Sequence, residues 1–217
     1  MVQPKAEACI SKPLDASIYV ESNFVLEFAF KQGQHDACEQ ILGYAEEGVL
    51  SLLIPAYCLA EPYETLGRRH RTRRRLQQEI QTELTQLRRS ARYVKTAQQV
   101  DLAASLFAVS AEEDRAKLEA TVRRVVRAAE LIPITPAVVE LGYDLQASLD
   151  MSAQDSFVLA SVLQHLQAEQ AEESYFATRD IRDFDDPDVA ELLKAQGCDL
   201  LTNFGPIVGL IRARLGH

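Results

Sequence analysis

The sequence has few of the residues that build metal–thiolate sites. Its cysteines, Cys9, Cys38, Cys58 and Cys198, form no Cys-x-x-Cys pair, and its four histidines show no zinc-ligand spacing. We therefore do not expect a thiol-rich metal site, and we expect the cysteines to be reduced.

Long apolar stretches are missing as well. No run approaches the roughly 18 apolar residues of a membrane span, and Met1 to Pro13 lack the apolar centre and basic flank of a secretory signal. Neither a repeat of fixed period nor a low-complexity linker is present. We therefore expect a cytoplasmic protein that does not contact a membrane.

The composition is that of an ordinary globular protein, with 47% hydrophobic and 25% charged residues. A chain of 217 residues lies just above the usual size of one domain, so we expect a single domain over 1–217 with an elaboration on its core. The net charge of -9 argues against indiscriminate binding of polyanions by the whole surface, but it leaves room for a local basic patch.

The clearest pattern combines a helix with a strand. Ser152 and Asp155 form a capping-box pattern, and apolar residues recur at helical spacing over Val158 to Leu166. Asp155 therefore lies in the first turn of a helix, where the helix dipole favours a carboxylate. Tyr175 to Thr178 is a strand-type run, and Asp180 follows it. A helix cap and a solvated acidic loop are the plain alternatives for these two acids.

Two more acids follow strand-type runs near the start of the chain. Glu21 comes directly after Ile18 to Val20, and Val49 to Ile54 suits a buried parallel strand. We predict that the proline after the second run starts a helix carrying Glu61, with a kink or an early end at Pro62. Because parallel strands end at one edge of a sheet, all four acids could face one crevice. First-turn or surface helix acids are the alternatives here.

The other segments are mainly helical in pattern. Val25 to Ala45 and Ala137 to Ala147 are each predicted as one helix, and residues 65–130 as two or more helices inserted into the α/β core. Leu131 to Thr135 is predicted as a short strand or extended linker, and Cys198 to Thr202 as a last strand.

An arginine-rich run lies in the inserted segment and consists of Arg68, Arg69, Arg71, Arg73, Arg74 and Arg75. On an acidic chain we interpret this run as a phosphate-binding stripe, because Lys and Arg supply most of the sequence-independent affinity for nucleic acid. A solvated helix face paired with nearby acids, or a contact surface for a protein partner, is the alternative.

Four acids in one crevice would repel each other unless a cation held them. Hard cations such as Mg²⁺ and Mn²⁺ prefer oxygen ligands, and Mg²⁺ takes a few carboxylates together with waters and substrate phosphate. The acids and such an ion would make a metal-assisted phosphodiester hydrolase, in which the ion orients a water and stabilises charge on the phosphate.

At these residues the sequence resembles the PIN-domain family, the metal-dependent nucleases that include the VapC-type toxins of toxin–antitoxin pairs. The four matching motifs are Val20-Glu21-Ser22-Asn23, Leu59-Ala60-Glu61, Asp155-Ser-x-x-Leu-Ala and Thr178-Arg-Asp180-x-x-Asp183-Phe. They cover roughly Ser17 to Thr65 and Leu131 to Thr202, and they leave the arginine-rich middle unmatched.

The resemblance implies an α/β fold, namely a three-layer αβα sandwich with a central parallel sheet, and cleavage of RNA by a water activated through Mg²⁺ or Mn²⁺. The implied catalytic residues are Glu21, Glu61, Asp155 and Asp180, of which Glu21, Asp155 and Asp180 would bind the ion. Supporting roles are implied for Asn23, Thr178 and Asp183, the last as an alternate ligand. The implied partners are RNA, an antitoxin protein and a second copy bound through the inserted helices, whose apolar stripe needs cover.

Two departures from the family pattern keep other functions open. Glu21 stands where the family usually has aspartate, and Pro62 lies beside Glu61. The Glu21 departure favours an inactive PIN scaffold that binds RNA or a protein partner. The other alternative is an unrelated Mg²⁺-dependent phosphohydrolase, but a phosphoaspartyl enzyme would need an aspartate nucleophile at the end of the first strand.

Overall fold

The computed structural model describes residues 13–169, 171–180, 184 and 186–216. Helices and strands alternate along these residues. In chain order they are β1 (Ala16–Val20), α1 (Ser22–Ala29), α2 (His35–Glu46), β2 (Ser51–Pro55), α3 (Glu61–Leu87), α4 (Val94–Ala128), β3 (Glu130–Ile132), α5 (Pro136–Leu149), α6 (Ala153–Ala168), β4 (Glu173–Ala177), α7 (Pro187–Ala195), β5 (Cys198–Leu201) and α8 (Gly205–Leu215).

The five strands form one sheet in the order β3-β2-β1-β4-β5, and all neighbouring strands are parallel. Strands β1 and β2 are largely buried, as their continuous apolar runs predict. The register pairs Tyr19 with Leu53 and Val20 with Ala177, so β1, β2 and β4 end side by side. Helices flank this sheet, which confirms the predicted αβα sandwich and all five predicted strands.

Aromatic pairs connect the helices and loops to the sheet. The rings of Phe24 and Phe204 meet edge to face at 5.3 Å and join the starts of α1 and α8. Phe176 of β4 meets Phe184 in the same way at 5.2 Å, and both rings are fully buried. Phe184 therefore anchors the segment that follows β4.

Helices α3 and α4 form a long antiparallel hairpin between β2 and β3, within the segment predicted to be inserted. Their 27 and 35 residues correspond to about 40 and 52 Å at the usual helical rise. Leu118 and Val125 of α4 are buried in the core. Arg124 donates to both carboxylate oxygens of Glu46, at 2.7 and 2.8 Å, and stacks over the ring of Phe28. The second half of α4 thus fastens the hairpin to α1 and α2.

The rest of the hairpin is held together by contacts between its two helices. Leu84 of α3 is buried, and so are Ala97 and Ala104 of α4. Arg88 forms an ion pair with Asp101 across the hairpin. In the part of the chain that the structure describes, no helix has the length and apolar character needed to cross a membrane.

The prediction of one helix over Val25 to Ala45 was wrong, because the chain turns between α1 and α2. Lys31 adopts a φ of +48° in this turn. The buried carboxylate of Glu27 accepts a hydrogen bond of 2.8 Å from the backbone N–H of Gln34. This side-chain acceptor holds the turn in place of a continuous helical ladder.

The prediction of one helix from Pro55 through Glu61 was wrong, whereas the early helix end predicted near Pro62 was confirmed. A short 3₁₀ helix, Ala56–Leu59, follows β2, and α3 begins at Glu61. Pro62 lies in the first turn of α3, where its missing N–H would have no intrahelical partner. The proline therefore helps to start this helix, and Glu61 lies at its first position.

Candidate active site

Glu21 connects the end of β1 to the start of α1. It is the N-cap of α1, and its Oε2 atom accepts hydrogen bonds from the Asn23 backbone N–H at 2.7 Å and from the Ser22 hydroxyl at 2.9 Å. Its Oε1 atom accepts the hydroxyl of Thr178 at 3.0 Å. These donors are neutral, so they orient the carboxylate without balancing its charge.

Burial makes the Glu21 carboxylate costly to ionise. The residue is 4% exposed, and desolvation raises its pKa from 4.5 to about 7, although the hydrogen bonds from Asn23, Ser22 and Thr178 oppose the shift. A positive charge close to this group would favour its ionised form. The Glu21 environment is therefore that of a carboxylate suited to a cation.

Thr178 follows β4 and contacts Glu21. Its side chain is fully buried, and its oxygen accepts the backbone N–H of Asp180 at 2.8 Å while its hydroxyl donates to Glu21. The backbone N–H of Phe184 donates to the Asp180 carbonyl at 3.1 Å. The chain after β4 is thus held against Glu21 at two points. Asp183, the predicted alternate ligand, lies outside the described residues.

Asp155 lies in the first turn of α6, as predicted. Ser152 is the N-cap, its oxygen accepts the Asp155 backbone N–H at 3.2 Å, and its hydroxyl donates to Asp155 Oδ2. The prediction that Ser152 caps this helix is therefore confirmed. Helix α6 begins at the edge of the sheet where the strands end, which we call the acidic edge. Asp155 can therefore stabilise the start of α6 and also lie at this edge.

Cys58 lies in the 3₁₀ helix after β2 and is buried. The residue is 1% exposed. Burial raises the pKa of this thiol well above its usual range, and the negative charges of Glu21, Glu61 and Asp155 raise it further. The charges of these three acids therefore each act on the buried Cys58 thiol.

The predicted acids follow strands or begin helices at one edge of the sheet, but those that the structure describes do not form a complete set of metal ligands. Among the residues that the structure describes, no three His, Cys, Asp or Glu side chains lie together closely enough to hold a metal ion. Mg²⁺ typically needs only one or two carboxylates, because waters and phosphate oxygens complete its shell. The carboxylate chemistry of this edge, and Glu21 with its neutral donors above all, fits Mg²⁺ or Mn²⁺.

Two of the six arginines contact residues outside α3. Arg69 stacks over the ring of Phe30, with 5.4 Å between the guanidinium carbon and the ring centre. Arg73 donates to Asp114 at 2.8 Å and to Ser110 at 3.1 Å, both on α4. For these two residues the structure supports the alternative of contacts within the protein.

The other four arginines, Arg68, Arg71, Arg74 and Arg75, are exposed, as Arg69 is too. Within the same helix Arg68 donates to Thr65 at 2.9 Å, and Arg75 lies 3.8 Å from Glu79. Arg68 and Arg75 follow Glu61 by seven and fourteen residues, which places all three on one face of α3. At the usual helical rise they lie about 10 and 21 Å from Glu61 along the helix. A row of exposed cations therefore runs outward from the acidic edge.

Three residues of this edge had no assigned role in our predictions. Ser22 lies between two motif residues, and Cys58 precedes Glu61 by one helical turn, so spacing could have indicated both. Arg179 lies 3.9 Å from Glu27 and donates to Asn203 at 3.4 Å. These partners come from α1 and from the segment after β5, and nothing in the sequence connects them.

The acidic edge coincides with the switch point of the sheet. Strands β2 and β3 lie on one side of β1, and β4 and β5 lie on the other. Ligands of open α/β sheets bind at such a point, outside the carboxyl ends of the strands. Glu21 and Thr178 follow the two strands that meet there, which defines an α/β protein with an acidic site at its switch point.

Comparison with known proteins gives the family. The family model described as "PIN domain" matches residues 18–184, which is more than half of the chain. The chain therefore belongs to the PIN-domain family, as the four motifs predicted. The match extends from β1 through the arginine-rich hairpin to the segment after β4. No curated protein and no solved structure matches the chain.

Proposed function

We propose that the protein is a metal-dependent endoribonuclease that hydrolyses phosphodiester bonds of RNA. PIN domains are generally nucleases. The observation that carries the proposal is Glu21, a buried carboxylate at the switch point with a pKa raised to about 7 and neutral hydrogen-bond donors. A group of this kind gains most from a bound cation.

The proposed ligands of Mg²⁺ or Mn²⁺ are Glu21, Asp155 and Asp180, with Asp183 as an alternate. When bound, the ion would supply Lewis-acid chemistry by activating a water and stabilising charge on the phosphate. The protein would orient the ligands. Thr178 holds Glu21 and the Asp180 backbone by hydrogen bonds, and Asn23 holds Glu21 from the other side.

Glu61 is the proposed residue that positions the attacking water. It is partly exposed at the first position of α3, so its carboxylate can reach solvent, and it is close enough to Cys58 to affect that thiol. It is also the first residue of the face that carries Arg68 and Arg75. A carboxylate at this place would accept a proton from a water beside the bound phosphate.

The exposed arginines are the proposed contacts to RNA. Arg68, Arg71, Arg74 and Arg75 would neutralise phosphates, whereas Arg69 and Arg73 would act mainly through their contacts inside the protein. If the protein is a toxin of this kind, its partner is an antitoxin protein. It would then act in the cytoplasm, with RNA as its substrate.

Incubation of purified protein with mixed RNA tests the proposal. Cleavage is expected with Mg²⁺ or Mn²⁺, and no cleavage is expected with EDTA or with Glu21→Gln. Arg71→Gln with Arg75→Gln should weaken RNA binding and flatten its salt dependence. Arg73→Gln is the matched control, and its main effect should be lower stability. Absence of cleavage with every divalent ion would overturn the nuclease proposal.

A catalytically impaired PIN scaffold is the second candidate. It is favoured by the hydrogen bonds of Glu21, since protein donors already occupy three acceptor positions of this carboxylate. Such a scaffold would bind RNA equally well in EDTA and in Mg²⁺, and it would leave the RNA intact. Metal-independent binding without cleavage would therefore favour this function.

A further inference from the structure

Three aromatic side chains meet where α5, α6 and the 3₁₀ helix after β2 come together. The ring of Phe157 on α6 lies 6.5 Å from the ring of Tyr57 and 5.6 Å from the ring of Tyr143 on α5, measured between ring centres. Both pairs meet edge to face, with 85° and 83° between the ring planes. We call these three residues the aromatic cluster.

The centre of the aromatic cluster is tightly packed. Gly142 of α5 lies so close to Phe157 that a Cβ atom at this glycine would be 2.1 Å from a ring carbon. Phe157 therefore packs directly against the backbone of α5, and the two tyrosine rings lie beside a ring that is held in place. A surface built in this way is already formed before a ligand binds, which lowers the cost of binding.

Both tyrosines of the cluster remain accessible to solvent. Tyr143 is 61% exposed and Tyr57 is 37% exposed. The contact between α5 and α6 explains the position of Phe157, but it leaves most of the Tyr143 surface in water. Single exposed apolar residues are ordinary on a protein surface, whereas adjoining exposed aromatic rings are typical of a binding surface.

The aromatic cluster adjoins the acidic edge. Tyr57 lies two residues after the end of β2, in the 3₁₀ helix that leads to Glu61 at the start of α3. Phe157 lies two residues after Asp155, which is about 3 Å along α6. The exposed arginines continue along α3 from Glu61. Cations that can bind phosphates and aromatic rings therefore lie on either side of the proposed catalytic residue Glu61, a combination that favours a nucleic acid over a protein partner.

We propose that Tyr57 and Tyr143 form a stacking surface for unpaired bases of RNA. Every base has an aromatic face, and bases outside a duplex stack on the rings of aromatic side chains. Inside a duplex the same faces are covered by neighbouring bases. The proposal rests on the proposed function, because it requires RNA at the acidic edge, and it adds that the nucleotides bound beside this edge are unpaired.

Binding of a short single-stranded RNA in EDTA tests the proposal without cleavage. Tyr57→Leu and Tyr143→Leu each keep an apolar side chain but remove the aromatic face, so each should weaken binding by about tenfold. Tyr143→Phe keeps the ring and should bind as the wild type does. Tyr93→Leu is the matched control, because Tyr93 is 43% exposed but lies between α3 and α4, at the far end of the hairpin. Its RNA binding should be unchanged.

The salt dependence of binding separates stacking from contacts to phosphate. Stacking releases no counterions, so Tyr143→Leu should lower the affinity by the same factor at every salt concentration, whereas loss of an arginine contact flattens the salt dependence. A sugar–phosphate chain without bases should bind equally to the wild type and to Tyr143→Leu. A duplex of the same sequence should also bind equally to both, because its bases are paired.

The outcomes distinguish this proposal from the nuclease proposal. If both leucine variants bind single-stranded RNA as tightly as the wild type, or if they weaken binding of the base-free chain equally, the stacking surface does not exist. A wild type that binds no single-stranded RNA would also overturn it. Weaker binding by the leucine variants, together with no cleavage by the wild type in any divalent ion, would support the stacking surface and reject the nuclease.

Discussion

The hydroxyl of Thr178 donates a hydrogen bond of 3.0 Å to Oε1 of Glu21, although 157 residues separate the two in sequence. The register explains this contact, because Val20 pairs with Ala177 and each of the two residues follows its strand by one position. The same Thr178 oxygen accepts the Asp180 backbone N–H. One buried hydroxyl therefore links both sides of the switch point.

Thr178→Val should destabilise the protein without changing the shape of the side chain. The substitution leaves the Asp180 N–H without its acceptor and Glu21 without one donor, at a cost of about 1–3 kcal/mol in the free energy of unfolding. Thr178→Ser keeps the hydroxyl and should lose clearly less. Urea denaturation at pH 6 measures both variants. Equal stability of Thr178→Val and the wild type would show that these bonds contribute nothing.

The stability of the metal-free protein should fall as the pH rises from 5 to 8. Burial raises the pKa of Glu21 from 4.5 to about 7, so the folded chain holds this proton more tightly than the unfolded chain does. The resulting stability is fully present below pH 4.5 and is lost as the pH rises through 7. The shift corresponds to about 3 kcal/mol in the free energy of unfolding.

Glu21→Gln provides the comparison, because glutamine does not titrate. Urea denaturation in EDTA at several pH values should show a fall for the wild type that the variant lacks. The variant should be less stable than the wild type at pH 5, since its amide NH₂ replaces an oxygen that accepts a hydrogen bond. Parallel pH profiles for the two proteins would contradict the raised pKa.

Glu21→Asp tests the residue at which this chain departs from its family. Aspartate is a good N-cap and should keep the bond from the Asn23 N–H, but it is one methylene shorter and should lose the bond from Thr178. If the protein cleaves RNA, we expect kcat/KM to fall by about 10- to 100-fold through misplacement of the carboxylate. A higher kcat/KM for Glu21→Asp would instead mean that the site works better with aspartate and that the native glutamate lowers its activity.

Gly142→Ala should destabilise the contact between α5 and α6. A Cβ atom at this position would lie 2.1 and 2.6 Å from ring carbons of Phe157, and relieving the clash should cost about 1–3 kcal/mol. Gly43 in α2 is the matched control because a Cβ there meets nothing within 4 Å. Gly43→Ala should stabilise the protein by about 0.5–1 kcal/mol. Thermal unfolding should therefore move in opposite directions for the two variants.

Local patterns predicted those parts of the fold that depend on neighbouring residues. The cap of α6 by Ser152 and the buried strand after Val49 were confirmed, because each depends on a few consecutive side chains. The turn between α1 and α2 was missed even though Gly33 lies in it. The buried Glu27 carboxylate that holds this turn reads in the sequence as an ordinary helix acid.

The acidic edge was predictable only in outline. Strand ends indicated that Glu21 and Asp180 could be close, but their link through Thr178 depends on β1 and β4 being neighbours. That order is set by the packing of the whole sheet. The division of the arginines also depends on tertiary contacts, because Asp114, which binds Arg73, lies on the other helix of the hairpin.

Asp155→Asn should separate the acidic site from the helix cap. Ser152 can still accept the backbone N–H of residue 155, and asparagine keeps an oxygen that can accept the Ser152 hydroxyl, so α6 should remain capped. The substitution loses a favourable interaction of about 0.3–1 kcal/mol with the helix dipole. The metal-free stability should therefore stay within about 1 kcal/mol of the wild type. The rise in Tm on adding Mg²⁺ or Mn²⁺ should be lost.

Ser152→Ala is the matched variant and should give the reverse pattern. It removes the oxygen that accepts the Asp155 N–H, at a cost of about 1 kcal/mol, and keeps the carboxylate. Its metal-free Tm should be lower than that of the wild type, but its Tm should still rise with Mg²⁺ or Mn²⁺ because binding to the folded state stabilises it. Thermal unfolding with EDTA and with each ion measures both effects. If Asp155→Asn lowers the metal-free Tm as much as Ser152→Ala does and retains the full response to metal, Asp155 only stabilises its helix.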